Sequence, residues 1–130
     1  MARSTDRASG PRADPARLRL VRWPTQPDPA GPTLLLIDGE VDLAVADELE
    51  EAADAALVDS GGRGVILDLS GVTFLDSTGL GALVGIRNSF VQRDASLVLL
   101  RPSEPVTRLL QITGLVDVFA IEGGPGPDAG

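Results

Sequence analysis

Residues 64–81 read GVILDLSGVTFLDSTGLG, an apolar run that leads through a short turn into a helix. The aliphatic side chains of Val65–Leu69 are typical of a strand that is covered on at least one face. Beyond Asp76 the apolar residues return with the spacing of a helix. The segment therefore predicts a central parallel strand followed by a helix that begins near Ser77.

The segments on either side alternate between strand and helix patterns. Strands are predicted at Leu18–Trp23, Thr33–Val41, Ala95–Leu100 and Val116–Ile121, and helices at Leu43–Val58 and Ser103–Thr113. Asp42 is placed to cap the first of these helices and Ser103 the last. Because parallel strands need crossover connections, which are usually helices, this order predicts an α/β fold. We expect a small mixed, largely parallel sheet of four to five strands with the helices mainly on one side.

Length and composition indicate one folded domain with a tail at each end. The chain has 130 residues, of which 43% are apolar, enough for a single core. Residues 1–17 are expected to form a disordered Arg-rich arm, residues 18–122 the domain, and residues 123–130 a flexible Gly/Pro tail. The apolar runs are far shorter than the about 20 residues that cross a bilayer. We therefore expect a cytoplasmic protein without membrane contact.

Three residue types are absent from the sequence, which has no Cys, no His and no Lys, all 11 basic residues being Arg. Without Cys there is neither a disulfide framework nor thiolate chemistry. Without His the commonest general base and transition-metal ligand is missing, and without Lys so are P-loop and Schiff-base chemistry. These absences predict a protein that is not an enzyme and that holds neither a metal nor a cofactor.

The formal charge of −8 is distributed unevenly along the chain. Residues 1–23 contain six Arg and two Asp, a net charge of +4, whereas residues 24–130 contain five Arg and 17 acidic residues, a net charge of −12. An acidic surface of this kind repels nucleic-acid phosphates and favours a basic protein partner. We therefore expect no nucleic-acid binding.

Three glycines lie inside the second predicted helix. Gly79, Gly81 and Gly85 would each cost about 1 kcal/mol relative to Ala in that position. Their plain explanation is close packing of the helix, with Asp76 or Ser77 as a helix cap. The functional alternative is a phosphate on Ser77, which the positive end of a helix dipole tolerates. A nucleotide is disfavoured, because GxGxxxG does not match the dinucleotide-binding GxGxxG spacing.

Acidic residues alternate at the end of the second predicted strand. Asp38, Glu40 and Asp42 are expected to point to the same side, and Asp42 approaches Asp76 if the two strand ends are adjacent. Such a carboxylate pair would suit a hydrolase or a metal site. The plainer interpretation is favoured: Asp42 caps the following helix, and the other two are solvated or contact a partner.

Several of these segments resemble one protein family. IDGEVD at 37–42, followed by an amphipathic helix and by VTFLDSTGLG at 72–81, is similar to the STAS-domain anti-sigma factor antagonists of bacteria. PVTRLL at 105–110 followed by TGL at 113–115 resembles the last helix of that family. The resemblance runs from about Leu18 to Glu122. It implies the STAS fold and a binding protein controlled by phosphorylation.

The resemblance also implies which hydroxyl is modified. In the family the Ser directly after the motif Asp is phosphorylated by an anti-sigma factor that is also a serine kinase, which corresponds to Ser77. An unphosphorylated member binds this kinase and frees a sigma factor, and a phosphorylated member releases it until a phosphoserine phosphatase acts. The family often has Ser where this chain has Thr78, so Thr78 is an alternative acceptor.

A partner-binding surface is expected around this site. Its candidate residues are Asp38, Glu40, Asp42, Asp76, Thr78, Gly79, Leu80 and Gly81. A second copy of the chain, in a weak homodimer, is a further partner to test. The alternative function is a non-switching STAS scaffold or regulatory subunit in a stress-signalling or transporter complex, with Ser77 never modified.

Overall fold

The computed structural model describes residues 19–24 and 31–123. The elements within them are β1 (Arg19–Pro24), β2 (Thr33–Val41), α1 (Ala46–Asp59), β3 (Gly64–Leu75), α2 (Ser77–Gln92), β4 (Ser96–Leu100), α3 (Glu104–Thr113) and β5 (Ala120–Glu122). A short 3₁₀ helix, Leu43–Val45, precedes α1. This order confirms the predicted alternation of strands and helices. The predicted arm and all but the first residue of the predicted tail lie outside the described residues.

The described strands form one sheet in the order β1-β2-β3-β4-β5. β1 pairs antiparallel with β2, and the three later pairs are parallel. β3 lies in the centre, where its apolar first half predicted it. The structure thus confirms a mixed, largely parallel α/β sheet. None of the helices within the described residues combines the length and hydropathy that a bilayer crossing requires.

The core lies between the sheet and the pair of helices α1 and α2. Leu35, Leu67 and Leu99 are in register across β2, β3 and β4 and are fully buried. The two helices contact each other and both contact β3, and they contribute the buried side chains of Leu49 and Phe90. Each such side chain stabilises the fold by about 1.5–3 kcal/mol when it leaves water. The start of α2 is therefore held on a rigid layer.

Two strand boundaries differ from the sequence prediction. β3 continues to Leu75 instead of ending at Leu69, because its second half keeps pairing with β2 beyond the end of β4. The last strand begins at Ala120 instead of Val116, because residues 116–118 form a turn and only residues 120–122 pair with β4. The sequence prediction was wrong at both places because pairing across the sheet, not local apolar content, sets where a strand begins and ends.

Ser103 begins α3 without capping it through its side chain. It is the N-cap residue by position, but its hydroxyl donates a hydrogen bond to the carbonyl of Val72 at 2.6 Å. Its backbone N–H donates to the carbonyl of Leu69. Ser103 therefore joins the start of α3 to the half of β3 that β4 does not cover, and the predicted capping hydrogen bond is replaced.

Candidate functional site

The ends of β2 and β3 meet at the start of α2. Val41 pairs with Leu75, and the backbone N–H of Asp76 donates to the carbonyl of Val41 at 3.4 Å. Carboxyl ends of neighbouring parallel strands lie at one edge of a sheet, where binding sites of α/β proteins are commonly found. We refer to residues 38–42 and 76–81 as the candidate site.

Two acidic residues of the candidate site act as helix caps. The Asp76 carboxylate accepts a hydrogen bond from the N–H of Gly79 at 2.8 Å, and the Asp42 carboxylate accepts one from the N–H of Ala44 at 3.0 Å. Asp42 thus caps the 3₁₀ helix Leu43–Val45 and not α1, whose N-cap residue Val45 offers no side-chain hydrogen bond. The two strand ends are adjacent as expected. No group of three or more acidic side chains within residues 31–123 is arranged to hold a metal ion.

Ser77 and Thr78 are the first two residues of α2, and both are exposed. A kinase can therefore reach either hydroxyl without opening the core. Unpaired backbone N–H groups and the positive end of the helix dipole lie at this position, which favours a phosphate. The geometry thus supports phosphoryl acceptance at the start of α2 and does not by itself choose between the two hydroxyls.

Gly79 is required by packing inside the domain. A Cβ at this position would clash with the carbonyl oxygen of Val41 and would lie 2.7 Å from Cδ1 of Leu75. The neighbouring Leu80 is only 5% exposed. Of the residues predicted to bind a partner, these two therefore position the start of α2 beneath the surface, whereas Thr78 and Gly81 lie on it.

Gly81 and Gly85 have no such internal reason. Both are exposed on α2; a Cβ at Gly81 would meet nothing within 4 Å, and one at Gly85 would lie 3.5 Å from Oε2 of Glu50, an ordinary contact. Ala would stabilise the helix at either position by about 1 kcal/mol. Packing therefore explains one of the three glycines and does not require the other two.

The strand that carries Asp38 and Glu40 pairs irregularly with β3. The pairing of β2 with β3 is irregular on both sides of Gly39, whose φ of 108° only glycine adopts readily. Asp38 is exposed, and its carboxylate fills the space that a Cβ at Gly71 would need. The additional residues of this irregular pairing lie in β3, where Asp68 to Gly71 pairs with Leu36 to Asp38. That the three carboxylates share one side of β2 stays a prediction.

A cavity of about 200 Å³ lies between α1 and α2 next to the candidate site. It is lined by Glu50, Asp54, Gly85, Ile86 and Ser89. Arg93 contacts two of these lining residues. It forms an ion pair with Asp54 at 2.8 Å and donates a hydrogen bond to the hydroxyl of Ser89. Sequence reasoning did not find this cavity, although small residues on α2 and carboxylates on α1 at i, i+4 spacing were visible.

A buried carboxylate on β3 was also missed. Asp68 is 3% exposed; burial alone would raise the pKa of its carboxyl, but hydrogen bonds from the backbone and hydroxyl of Ser70 and the ion pair with Arg101 together hold that pKa below its usual value. Arg101 has a left-handed backbone with a φ of 48°. Its backbone N–H donates a hydrogen bond to the backbone carbonyl of Glu122 at 2.7 Å. The ion pair of Asp68 and Arg101 thus links β3 to the residue after β4, and the backbone of Arg101 in turn contacts β5.

Comparison with known proteins places the chain in one family. The family model described as STAS domain matches residues 24–124. The chain is 38% identical to the anti-sigma-B factor antagonist of Listeria monocytogenes over 94 residues. This alignment covers 71% of this chain and 80% of that protein. An anti-sigma factor antagonist from Mycobacterium paratuberculosis has a similar crystal structure, with a TM-score of 0.70, 25% identity, and coverage of 89% of this chain and 92% of that one.

The fold is also that of SpoIIAA, an anti-sigma factor antagonist. In its unphosphorylated form SpoIIAA aligns with a TM-score of 0.62 and 18% identity over 87% of this chain and 91% of its own. In the phosphorylated form, from Bacillus, the TM-score is 0.58 and the identity 17%, over 87% and 95% of the two chains.

Proposed function

The chain belongs to the STAS domain family, among the anti-sigma factor antagonists, and from this premise we propose that Ser77 switches a partner-binding surface at the start of α2. In its unphosphorylated form the protein binds an anti-sigma factor that is also a serine kinase, so that a sigma factor is released. Phosphorylation of Ser77 ends this binding, and a phosphoserine phosphatase restores it. The protein works in the cytoplasm as a regulator and not as an enzyme.

The observation that carries the proposal is the exposed hydroxyl of Ser77 on a helix start that the core holds rigid. Asp76 caps the helix and Gly79 packs against Val41, so a phosphate on the hydroxyl changes the surface and leaves the fold intact. It would add about −1.5 to −2 charge at pH 7, beside carboxylates at 42 and 76. Charge and bulk inside an interface disrupt it. SpoIIAA, which shares this fold, adopts it in both phosphorylation states.

The acceptor is tested by labelling matched variants with the cognate kinase and ATP. We expect Ser77→Ala to gain no phosphate by intact mass, and Thr78→Ala, the control with the neighbouring hydroxyl removed, to gain one. Undiminished labelling of Ser77→Ala would contradict the assignment. Loss of labelling in Thr78→Ala alone would make Thr78 the acceptor.

The switch itself is tested by binding. Ser77→Ala and Ser77→Asp serve as paired baits, and the captured proteins are identified by mass spectrometry. We expect the Ala form to capture the anti-sigma factor and the Asp form to lose it. Equal capture by both forms would favour the alternative, a non-switching scaffold or regulatory subunit.

The acidic charge of this surface provides a second test of the proposed interface, through the salt dependence of partner binding. Since the surface near Ser77 is acidic, a basic partner face is expected, and its association should weaken as salt rises because exposed charges are screened. Binding that does not change with salt would indicate an apolar interface instead.

A further inference from the structure

The outward face of α1 is acidic, and Glu50 and Asp54 at its border line the cavity shared with α2. It carries five exposed carboxylates, those of Asp47, Glu48, Glu50, Glu51 and Asp54. Within the part of the chain that the structure describes, Asp54 is paired with Arg93 at 2.8 Å, and α1 itself contains no Arg. Like charges at i, i+3 and i, i+4 spacing destabilise a helix. A cation on this face would therefore be favourable.

The chain enters the sheet next to this face. Arg19 pairs with Asp38, and β1 runs antiparallel to β2, so β1 begins at the edge where β2 ends and α1 begins. β1 also contacts α1. From Asp38 to the end of β2 is about 10 Å at strand spacing. The 18 preceding residues can span about 60 Å when extended, several times what is needed to reach any part of α1.

The charges of these 18 residues are opposite to those of α1. Residues 1–18 contain Arg3, Arg7, Arg12 and Arg17 against two Asp. On the described side, Arg93, Arg101 and Arg108 each already form an ion pair. An Arg guanidinium can bind a carboxylate through two parallel hydrogen bonds. An Arg-rich segment of the sequence is thus joined to the domain near the acidic side of α1.

We propose that residues 1–18 dock in cis on the acidic outward face of α1. Exposed ion pairs are individually weak, but a short covalent connection gives the arm an effective concentration in the millimolar range. The arm then occupies the surface that a basic partner would approach and lowers its rate of association. The proposal does not depend on Ser77, so it stands or falls separately from the phosphorylation switch.

Paramagnetic relaxation on the full chain tests this docking. Because the chain has no Cys, Ser4→Cys gives a single attachment point for a nitroxide label. We expect the amide signals of residues 47–54 to lose intensity at low salt, while those of α3 at residues 104–113 keep theirs. At about 1 M salt, where the screening length is about 3 Å, the loss should disappear.

Two controls make the result specific. The first is the same labelled chain with Arg3, Arg7, Arg12 and Arg17 all changed to Gln, for which we expect the α1 signals to recover. The second carries the label at Ala129→Cys, in a segment without Arg, and should leave α1 unaffected. All of these changes lie outside the residues that the structure describes, and unchanged amide positions of the described residues verify the fold. Absence of any loss at α1, equal loss at α1 and α3, or loss that survives the Gln substitutions would overturn the proposal.

Discussion

The backbone carbonyl of Val41 leaves no room for a side chain at Gly79. The same carbonyl accepts the N–H of Asp76 at 3.4 Å, so one group at the end of β2 fixes both the cap of α2 and its third residue. Ser77 and Thr78 lie between these two fixed points and face solvent. The exposure of the candidate acceptors is thus a consequence of how α2 is anchored.

We expect Gly79→Ala to destabilise the domain. Overpacking typically costs about 1–3 kcal/mol, which exceeds the gain of about 1 kcal/mol that Ala has over Gly in a helix. Urea denaturation measures the difference, with Gly81→Ala as the matched control at a position where the added methyl meets nothing. Equal stability of the two variants would show that the contact with Val41 does not restrict the start of α2.

Gly81→Ala should separate stability from binding. We expect its free energy of unfolding to rise by about 1 kcal/mol, while its affinity for the anti-sigma factor falls about tenfold if the partner packs closely on this face. Gln92→Ala, exposed at the far end of α2, is the control and should bind normally. Calorimetric titration of the three proteins decides it, and an unchanged dissociation constant for Gly81→Ala would exclude this residue from the interface.

The features that were predicted correctly from the sequence are those that depend on neighbouring residues along the chain. The apolar run of Val65–Leu69 and the helix start at Ser77 were found from spacing alone, since burial and capping leave direct signals in neighbouring residues. Val116 was placed in a strand because it is apolar, yet strand formation depends on a partner strand that residues 116–118 do not reach. Gly79 and Gly81 are equivalent in sequence, and only the position of β2 makes one of them indispensable.

The cap of α2 gives a further prediction. Asp76→Ala removes the acceptor for the N–H of Gly79 and should lower the free energy of unfolding by about 1 kcal/mol. Asp76→Asn keeps a side-chain oxygen in place and should cost much less, because Asn is as good an N-cap as Asp. Thermal unfolding of both variants at neutral pH tests this, and equal losses would mean that charge, not capping, is what Asp76 contributes.

Asp68 predicts how the stability of the domain responds to acid. Its carboxylate is held by Ser70 and Arg101, which lower its pKa despite burial. Asp68→Asn removes the charge that these groups bind, and we expect it to lower the free energy of unfolding at pH 7 by about 1–3 kcal/mol, the range for hydrogen bonds to buried charged groups. Arg101→Gln leaves the buried carboxylate with only the bonds from Ser70 and should therefore also lower the free energy of unfolding.

The sign of the pH dependence follows from the lowered pKa. A carboxyl that is more acidic in the folded than in the unfolded state stabilises the fold above its unfolded pKa of about 3.9, and this contribution is lost as pH falls toward the folded pKa. The stability difference between the parent chain and Asp68→Asn should therefore be constant from about pH 7 to pH 5 and shrink below about pH 4. Urea titrations across this range measure it, since acid effects of the other carboxylates cancel in the difference. A difference that stays constant down to the lowest pH would show that Asp68 is not held by charge.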